Sequence, residues 1–376
     1  MAQKPGFLSM QINKNLFESA TEDEKIQQVT MGESVSFFRD AFRRLFHNPV
    51  AIASLCLIVV IMLIAFITPL FYPYTYSEMD TNNKTLSPFQ YSTKEQARIE
   101  AGEKLFPHIM GTDTMGRDYG IRVIFGTRIS LLVGILAAFI VVVIGVIYGS
   151  VSGYFGDRVD LIMMRIVDII YALPDVLLII LLSVFVRGII RTTENSFLLT
   201  MGSGMISIFI VFGMFYWVGM ARQVRGQILS IKEQEYVLAA RAMGAKAAHI
   251  IRKHMVPNCV SVIIIVAAMQ IPQAIFTESF LSYLGLGVSI PMPSLGSLAA
   301  DAKESLQSYP YLLFFPATMI FLIVLSFNLL GSGLRDAFDP KLRTSGKITQ
   351  KETPVQPITS MAGGGSRKSA EEDVMA

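Results

Sequence analysis

Charge is scarce in this chain. Asp, Glu, Lys and Arg make up 16% of its 376 residues, where soluble domains carry about 25%. Hydrophobic residues account for 52% and the mean hydropathy is +0.50. So few polar side chains cannot cover a soluble surface, which excludes an ordinary soluble enzyme. Cysteine is nearly absent. Cys56 and Cys259 lie far apart, in or beside apolar runs, and read as small packing residues rather than a disulfide framework. The balance of 32 basic and 29 acidic residues is only +3, which gives no case for a nucleic-acid partner. No long apolar run precedes residue 50, and the opening residues lack a signal-peptide core. About the first 48 residues are therefore expected to stay on the cytoplasmic side.

Catalytic signatures are missing too. There is no GxxxxGK[ST], HExxH or GxSxG. Without a phosphate-cradling loop the chain is not expected to hydrolyse ATP itself. Of the four histidines His47, His108, His249 and His254, the last two are five apart. On an α-helix that spacing points them about 140° apart, a poor metal pair, so no metal site is expected and both read as surface histidines. Asp168 and Asp175, seven apart, share a helix face. Pro174 adjoins Asp175, however, and no flanking motif supports intramembrane catalysis.

What the chain has is apolar stretches of spanning length. A membrane helix needs about 20 mostly apolar residues. Uncharged or nearly uncharged stretches at 51–71, 129–155, 197–221, 259–277 and 310–334 meet that requirement. A less clean stretch at 166–186 contains Asp168, Pro174 and Asp175. The expectation is an all-α polytopic membrane protein with six spans. Orientation follows Lys and Arg near the span ends. Arg39, Arg43 and Arg44 precede the first span, Arg335, Lys341, Arg343 and Lys347 follow the last, and the loop 222–258 carries seven basic residues against Glu233 and Glu235. Both termini and that loop are thus expected in the cytoplasm, and the long polar loop 72–128 outside.

The remaining boundaries follow from composition. Residues 1–32 read as a loose tail. In 33–48, Val35, Phe38, Phe42, Leu45 and Phe46 recur at helical spacing with Arg39, Arg43 and Arg44 elsewhere. That pattern suits a helix lying in the lipid headgroup layer; the alternative is a simple cap on the first span. Asn48-Pro49 should break it. The six-span domain occupies 49–343. The tail 344–376, polar and containing GGGS, should be disordered. No internal repeat is evident.

The stretch Glu233 to Asn258, EQEYVLAARAMGAKAAHIIRKHMVPN, carries most of the functional signal. Glu235 to Ala242 is made largely of strong helix formers, and Gly244 is placed to end or bend the helix. A short cytoplasmic helix with an alanine face, flanked by positive charge, suits docking by a partner; an ordinary amphipathic loop helix is the other reading. The stretch resembles the EAA loop of ABC importer permeases: EAA, three residues, Gly, nine residues, then I-x-L-P. Leu238-Ala239-Ala240 takes the EAA place, Gly244 the glycine, and His254 to Pro257 the ending. Leu238 stands where the family has glutamate, with Glu235 one turn earlier.

Four further segments resemble the C-type subunits of dipeptide, oligopeptide and nickel permeases. They are His108–Gly134, with Gly111-Thr112-Asp113 and Gly116-Arg117-Asp118; Asp157–Pro174; Glu278–Leu298; and 328–342. The resemblance covers about 35–343; the long tails and extra length at about 80–104 depart from it. It implies a type I ABC importer permease (MetI-like) fold and a non-catalytic subunit that binds no cofactor. The implied partners are a homologous B-type permease, two ATP-binding subunits carrying ATP and Mg, an extracellular or periplasmic solute-binding protein and the lipid bilayer of the cell membrane. It further implies that Glu235, Tyr236, Leu238, Ala239, Ala240, Arg241, Gly244 and Pro257 form the ATPase-coupling loop. Peptide is the first choice of substrate, with nickel or another small solute as alternative. A stand-alone secondary transporter or channel and a non-transporting scaffold are the rivals from other classes. On physical grounds the external motif could pin its loop by Asp–Arg and Asp–backbone bonds, or touch substrate or binding protein. Gly285, Gly287, Pro291 and Pro293 should shape a tight external loop. Gln270 and Glu278 could line the path or pack against another helix.

Overall fold

The computed structural model describes residues 37–80, 83–191, 203–287 and 292–338. The loose tails read from composition, and Pro291, lie outside the described residues. Among the described residues the regular elements are helices, and two isolated bridges pair Gln90 with His108 and Thr112 with Asp118. Among the described residues five helical stretches are long and apolar enough to cross a membrane, or six where a bent pair is counted as one span. The chain is an all-α, multi-pass membrane protein.

Helix α1 spans Phe37–Leu45 and α2 Pro49–Phe71. The break between them is also a start. The Asn48 side chain accepts from the backbone N–H of Val50 and Ala51, and Pro49 opens α2 where its missing N–H has no helical partner to lose. Leu45 packs with Ala51 and Ala337, while Phe42 and Phe46 stay exposed.

Helix α3 (Thr93–Glu100) lies in the segment between α2 and the central helix α4 (Tyr119–Phe155). Helix α4 begins ten residues before the apolar stretch that starts at 129. Arg122 and Arg128 precede that stretch and look like its boundary in sequence, but their charges find partners beside the helix. Arg122 bonds Asp113 at 2.6 Å, and Arg128 lies over the Phe66 and Phe125 rings. Helix α4 contributes to three apolar clusters, through Leu131, Val141 and Val133 respectively. Its glycines let α8 (Trp217–Lys232) approach closely. A Cβ at Gly145 would stand 2.5 Å from Met220, and one at Gly149 2.4 Å from the Ala221 carbonyl. Small residues four apart permit such backbone-to-backbone contact.

The stretch 166–186 is not one straight span. Helices α5 (Asp157–Ala172) and α6 (Asp175–Arg191) meet at 91°. Pro174 cannot continue a helix and drives Leu173 to an extended ψ of 143°. Asp168 and Asp175 therefore do not share a helix face. Helix α7 (Ser203–Val211) runs into α8 through a π-turn at Phe212–Tyr216.

The loop after α8 holds α9 (Glu235–Ala242) and α10 (Ala247–Ile250). A π-turn (Ile251–Met255) and a 3-10 turn (Val256–Cys259) then lead into α11 (Val260–Tyr283). The π-turn alters the helical phase, so the His249 and His254 rings stand 5.9 Å apart rather than on diverging faces. Helices α12 (Leu295–Ala302) and α13 (Tyr311–Phe338) complete the described fold.

Candidate functional site

Helix α9 is anchored on one side and open on the other. Val237 is fully buried and Ala240 is 4% exposed, both in the cluster formed with Ile228, Ile250 and Met255. Glu235, Tyr236, Leu238, Ala239 and Arg241 are exposed. The alanines thus divide: Ala240 is a packing residue, and only Ala239 and Ala242 contribute to an open small-residue face. The helix closes at Gly244, whose φ of +77° suits a residue without a side chain. Ala245 N–H donates to the Ala240 carbonyl and Gly244 N–H to that of Arg241, so the last turn is satisfied. Asn258 ties the loop's two ends, its amide donating to the Tyr236 hydroxyl and to the His254 carbonyl. Pro257 adjoins that tie in the 3-10 turn at the base of α11. Leu238 is 49% exposed, and Met243, unnamed in the sequence analysis, is 82% exposed. Its position at the C-cap, one residue before an αL glycine, is the signal that would have found it.

The segment from Tyr72 to Asp118 is fastened by its own polar groups. Asp113 is buried and accepts from the N–H of Met115 and Arg117, from Arg117 Nε and from Arg122. Thr112 donates to the Asn83 carbonyl and accepts from Leu86 N–H, while Tyr311 of α13 donates to the Leu86 and Thr112 carbonyls. Gly111 and Gly116 both have φ of +76° and both touch backbone: an added Cβ would stand 2.2 Å from the Leu86 carbonyl oxygen and 1.8 Å from that of Asp80. Asp118 caps α4 through Ile121 N–H and also receives His108 Nδ1 at 2.6 Å.

The extra length at 80–104 joins this same network. Ser92 and Glu95 form a reciprocal capping box at the start of α3, and Glu95 lies 3.2 Å from His108 Nε2. His108 is thus buried between two carboxylates, with Tyr74 stacked on its ring. Burial disfavours its charge, but the hydrogen bond and charge of Asp118 and the charge of Glu95 prevail and raise its pKa above the ordinary value. No sequence signal marked His108 beyond its place at the head of the motif; a partner thirteen residues away becomes its neighbour only through folding.

The two polar residues singled out near the fifth span separate. Glu278 is fully buried. It accepts from Ser130 of α4 and from Ser282, while Ser130 also accepts from Leu295 N–H at the start of α12. Glu278 is therefore the centre of a hydroxyl cage that ties α4, α11 and α12 together. Gln270 does border a cavity, of about 510 Å³, and shares it with Gln273.

Comparison with known proteins places these features in a class. The family model "Binding-protein-dependent transport system inner membrane component" matches residues 143–344. A second model, "N-terminal TM domain of oligopeptide transport permease C", matches residues 36–88. The chain belongs to the binding-protein-dependent transport family of ABC importer permeases. Within that family it is a C-type chain of the oligopeptide and dipeptide permeases. It is 41% identical over 332 residues to the oligopeptide transport system permease protein OppC of Bacillus subtilis (strain 168), covering 88% of this chain and 99% of that one. It is 42% identical over 311 residues to the dipeptide transport system permease protein DppC of the same organism, covering 82% and 88%. Among solved structures, an inward-facing MetNI methionine ABC transporter matches at 19% identity with a TM-score of 0.45, over 56% of this chain and 94% of that chain.

Proposed function

We propose that this chain forms half of the translocation path of an ATP-driven importer of dipeptides and oligopeptides, and that α9 is the element through which an ATPase moves it. The observation that carries the coupling role is the two-sidedness of α9. Val237 and Ala240 bind it to the body of the permease, while Leu238, Ala239, Arg241 and Met243 are left open. Leu238 in the glutamate place makes the docking contact apolar, extended by Met243, with Glu235 and Arg241 as its charged margin. The Tyr236–Asn258 bond and the turn at Pro257 pass movement of α9 to α11.

The names of the relatives support peptide as substrate. The assembly comprises this chain, a homologous B-type permease, two ATP-binding subunits that hold ATP and Mg, and a solute-binding protein on the outer face. Hydrolysis takes place in the ATP-binding subunits. Both termini and the 233–258 loop face the cytoplasm, segment 72–118 faces outward, and α1 lies in the headgroup layer with Phe42 and Phe46 toward lipid. Gly111, Thr112, Asp113, Gly116, Arg117 and Asp118 act as a structural clasp of the outer segment. ATP binding closes the ATPases and opens the path outward; hydrolysis returns it inward.

The test is purification of the chain from native membranes in mild detergent, identification of co-purifying proteins by mass spectrometry, and peptide uptake after reconstitution. Recovery of a second permease and two ATPases, with uptake that requires ATP, is the expected outcome. Uptake by the chain alone without ATP would replace this reading with a secondary transporter.

A further inference from the structure

The open cavity beside Gln270 and Gln273 is bordered by two breaks in helix geometry. Tyr171 and Pro174 line it from the 91° break between α5 and α6, and Phe215 and Tyr216 from the π-turn before α8. Both irregularities widen the space between helices, and π-turns recur at functional sites. Two of the helices that border it, α8 and α11, belong to the least apolar of the five candidate spans.

No charged side chain lines this cavity. Its polar side chains are the two glutamines, Tyr171, whose ring carries the Arg222 guanidinium at 4.3 Å, and Tyr216, whose hydroxyl is bonded to Thr277 at 2.8 Å. Gln270 and Gln273 are three apart, hence neighbours on one face of α11. Gln273 is exposed and Gln270 partly so. Neither side-chain amide has a hydrogen-bond partner among the described residues. An unbonded amide at this depth is unfavourable against lipid, and polar groups there face water, a partner or a substrate.

We infer that Gln270 and Gln273 are a contact pair for the backbone of the passing peptide; this rests on the peptide-importer reading above. Each glutamine offers two N–H donors and a carbonyl acceptor, the complement of a peptide unit. Both are neutral, so the contact is indifferent to the charge of the cargo's side chains. The Tyr171 and Phe215 rings supply an apolar wall for whatever side chain the cargo carries. This pairing suits an importer that must pass many sequences, because it reads what all peptides share.

The test uses the whole native complex, with its binding protein, in proteoliposomes. Three versions are compared: wild type, the double variant Gln270→Leu/Gln273→Leu, and the single variant Gln270→Glu. Uptake is measured for alanine-based tripeptides carrying a central Ala, Lys or Glu, alongside ATP hydrolysis and recovery of the assembled complex. The double Leu variant should assemble and hydrolyse ATP as wild type does, yet take up all three peptides about tenfold more slowly. Gln270→Glu should shift the Lys-to-Glu uptake ratio about fivefold toward Lys, because a like charge would then stand in the path. Wild-type uptake by the double Leu variant, or an unchanged ratio in Gln270→Glu, overturns the inference. Loss of assembly in the double Leu variant also overturns it, by showing that the pair faces the second permease. Failure of the wild-type complex to import any of the peptides is a separate result: it removes the peptide reading itself.

Discussion

Gly116 and Gly244 hold nearly the same backbone angle, φ of +76° and +77°, in two different settings. A Cβ at Gly116 would collide with the Asp80 carbonyl, whereas one at Gly244 meets nothing within 4 Å. The contrast extends to their surroundings. Segment 72–118 buries a linked set of its polar groups: Asp113 takes two arginines, Asp118 and Glu95 take His108, and Thr112 joins two distant stretches of chain. The 233–258 loop buries one apolar edge and leaves Glu235, Leu238, Arg241 and Met243 outside. A segment whose buried charges are paired with one another is built to hold its shape. A helix that leaves charged and apolar groups open beside a fixed base is built to be gripped.

This contrast yields a ranked series of outcomes. The largest loss of stability is expected for Asp113→Ala, which takes from buried Arg117 its ion-pair partner and leaves buried Arg122 only the longer contact to Asp301, at 3.6 Å. The cost is about 3–5 kcal/mol, read as a fall in the thermal unfolding midpoint of the purified protein. Next is Gly116→Ala, at about 2–3 kcal/mol, because strain at positive φ is joined by a backbone collision. If the midpoint is unchanged, the close approach to Asp80 is not a feature of the folded protein.

His108→Gln should cost about 1–2 kcal/mol through lost buried hydrogen bonds, and it also tests charge. Glu95 and Asp118 face the imidazole, Tyr74 stacks on it, and together they leave its pKa raised above 6.5 in the folded state. A raised folded pKa means that this stability is complete below about pH 6.5 and is lost as pH rises through the folded value. The unfolding midpoint of the wild type should therefore decline as pH increases above 6.5, and His108→Gln should flatten that decline.

Gly244→Ala should cost only about 1 kcal/mol, the strain of φ alone. A loss as large as that of Gly116→Ala would erase the distinction between the two regions. The smallest effect on folding belongs to Ala239→Trp, within about 0.5 kcal/mol, since the residue is exposed. The same variant should abolish uptake and weaken recovery of the ATPase. Ala240→Trp is a poorer probe because Ala240 is packed against the body of the permease, so it would disturb folding as well as docking.

Much of this was legible in the sequence. The five long apolar stretches follow from a requirement no membrane protein escapes, that backbone groups in lipid be bonded within a helix. The Gly244-to-Pro257 spacing and the two glycine turns before α4 were visible as motifs, because short-range chemistry needs particular residues at particular offsets. The 91° break at 166–186 was not read from the sequence, which took that stretch as one span, although Pro174 stands at the break. The early start of α4 was hidden, because Arg122 and Arg128 look like a boundary until Asp113 and the Phe66 ring are brought beside them.

The sequence by itself therefore determined that this is a multi-helix membrane permease, and where its motifs stand, since hydrophobic length and local spacing act along the chain. Only the tertiary structure decided which side of α9 is open, that Glu278 is caged by serines while Gln270 and Gln273 border a cavity, and that His108 lies between two carboxylates. Those outcomes depend on which helices meet. Burial and pairing are set by contacts between residues such as Ser130 and Glu278, 148 positions apart, and no local pattern records them.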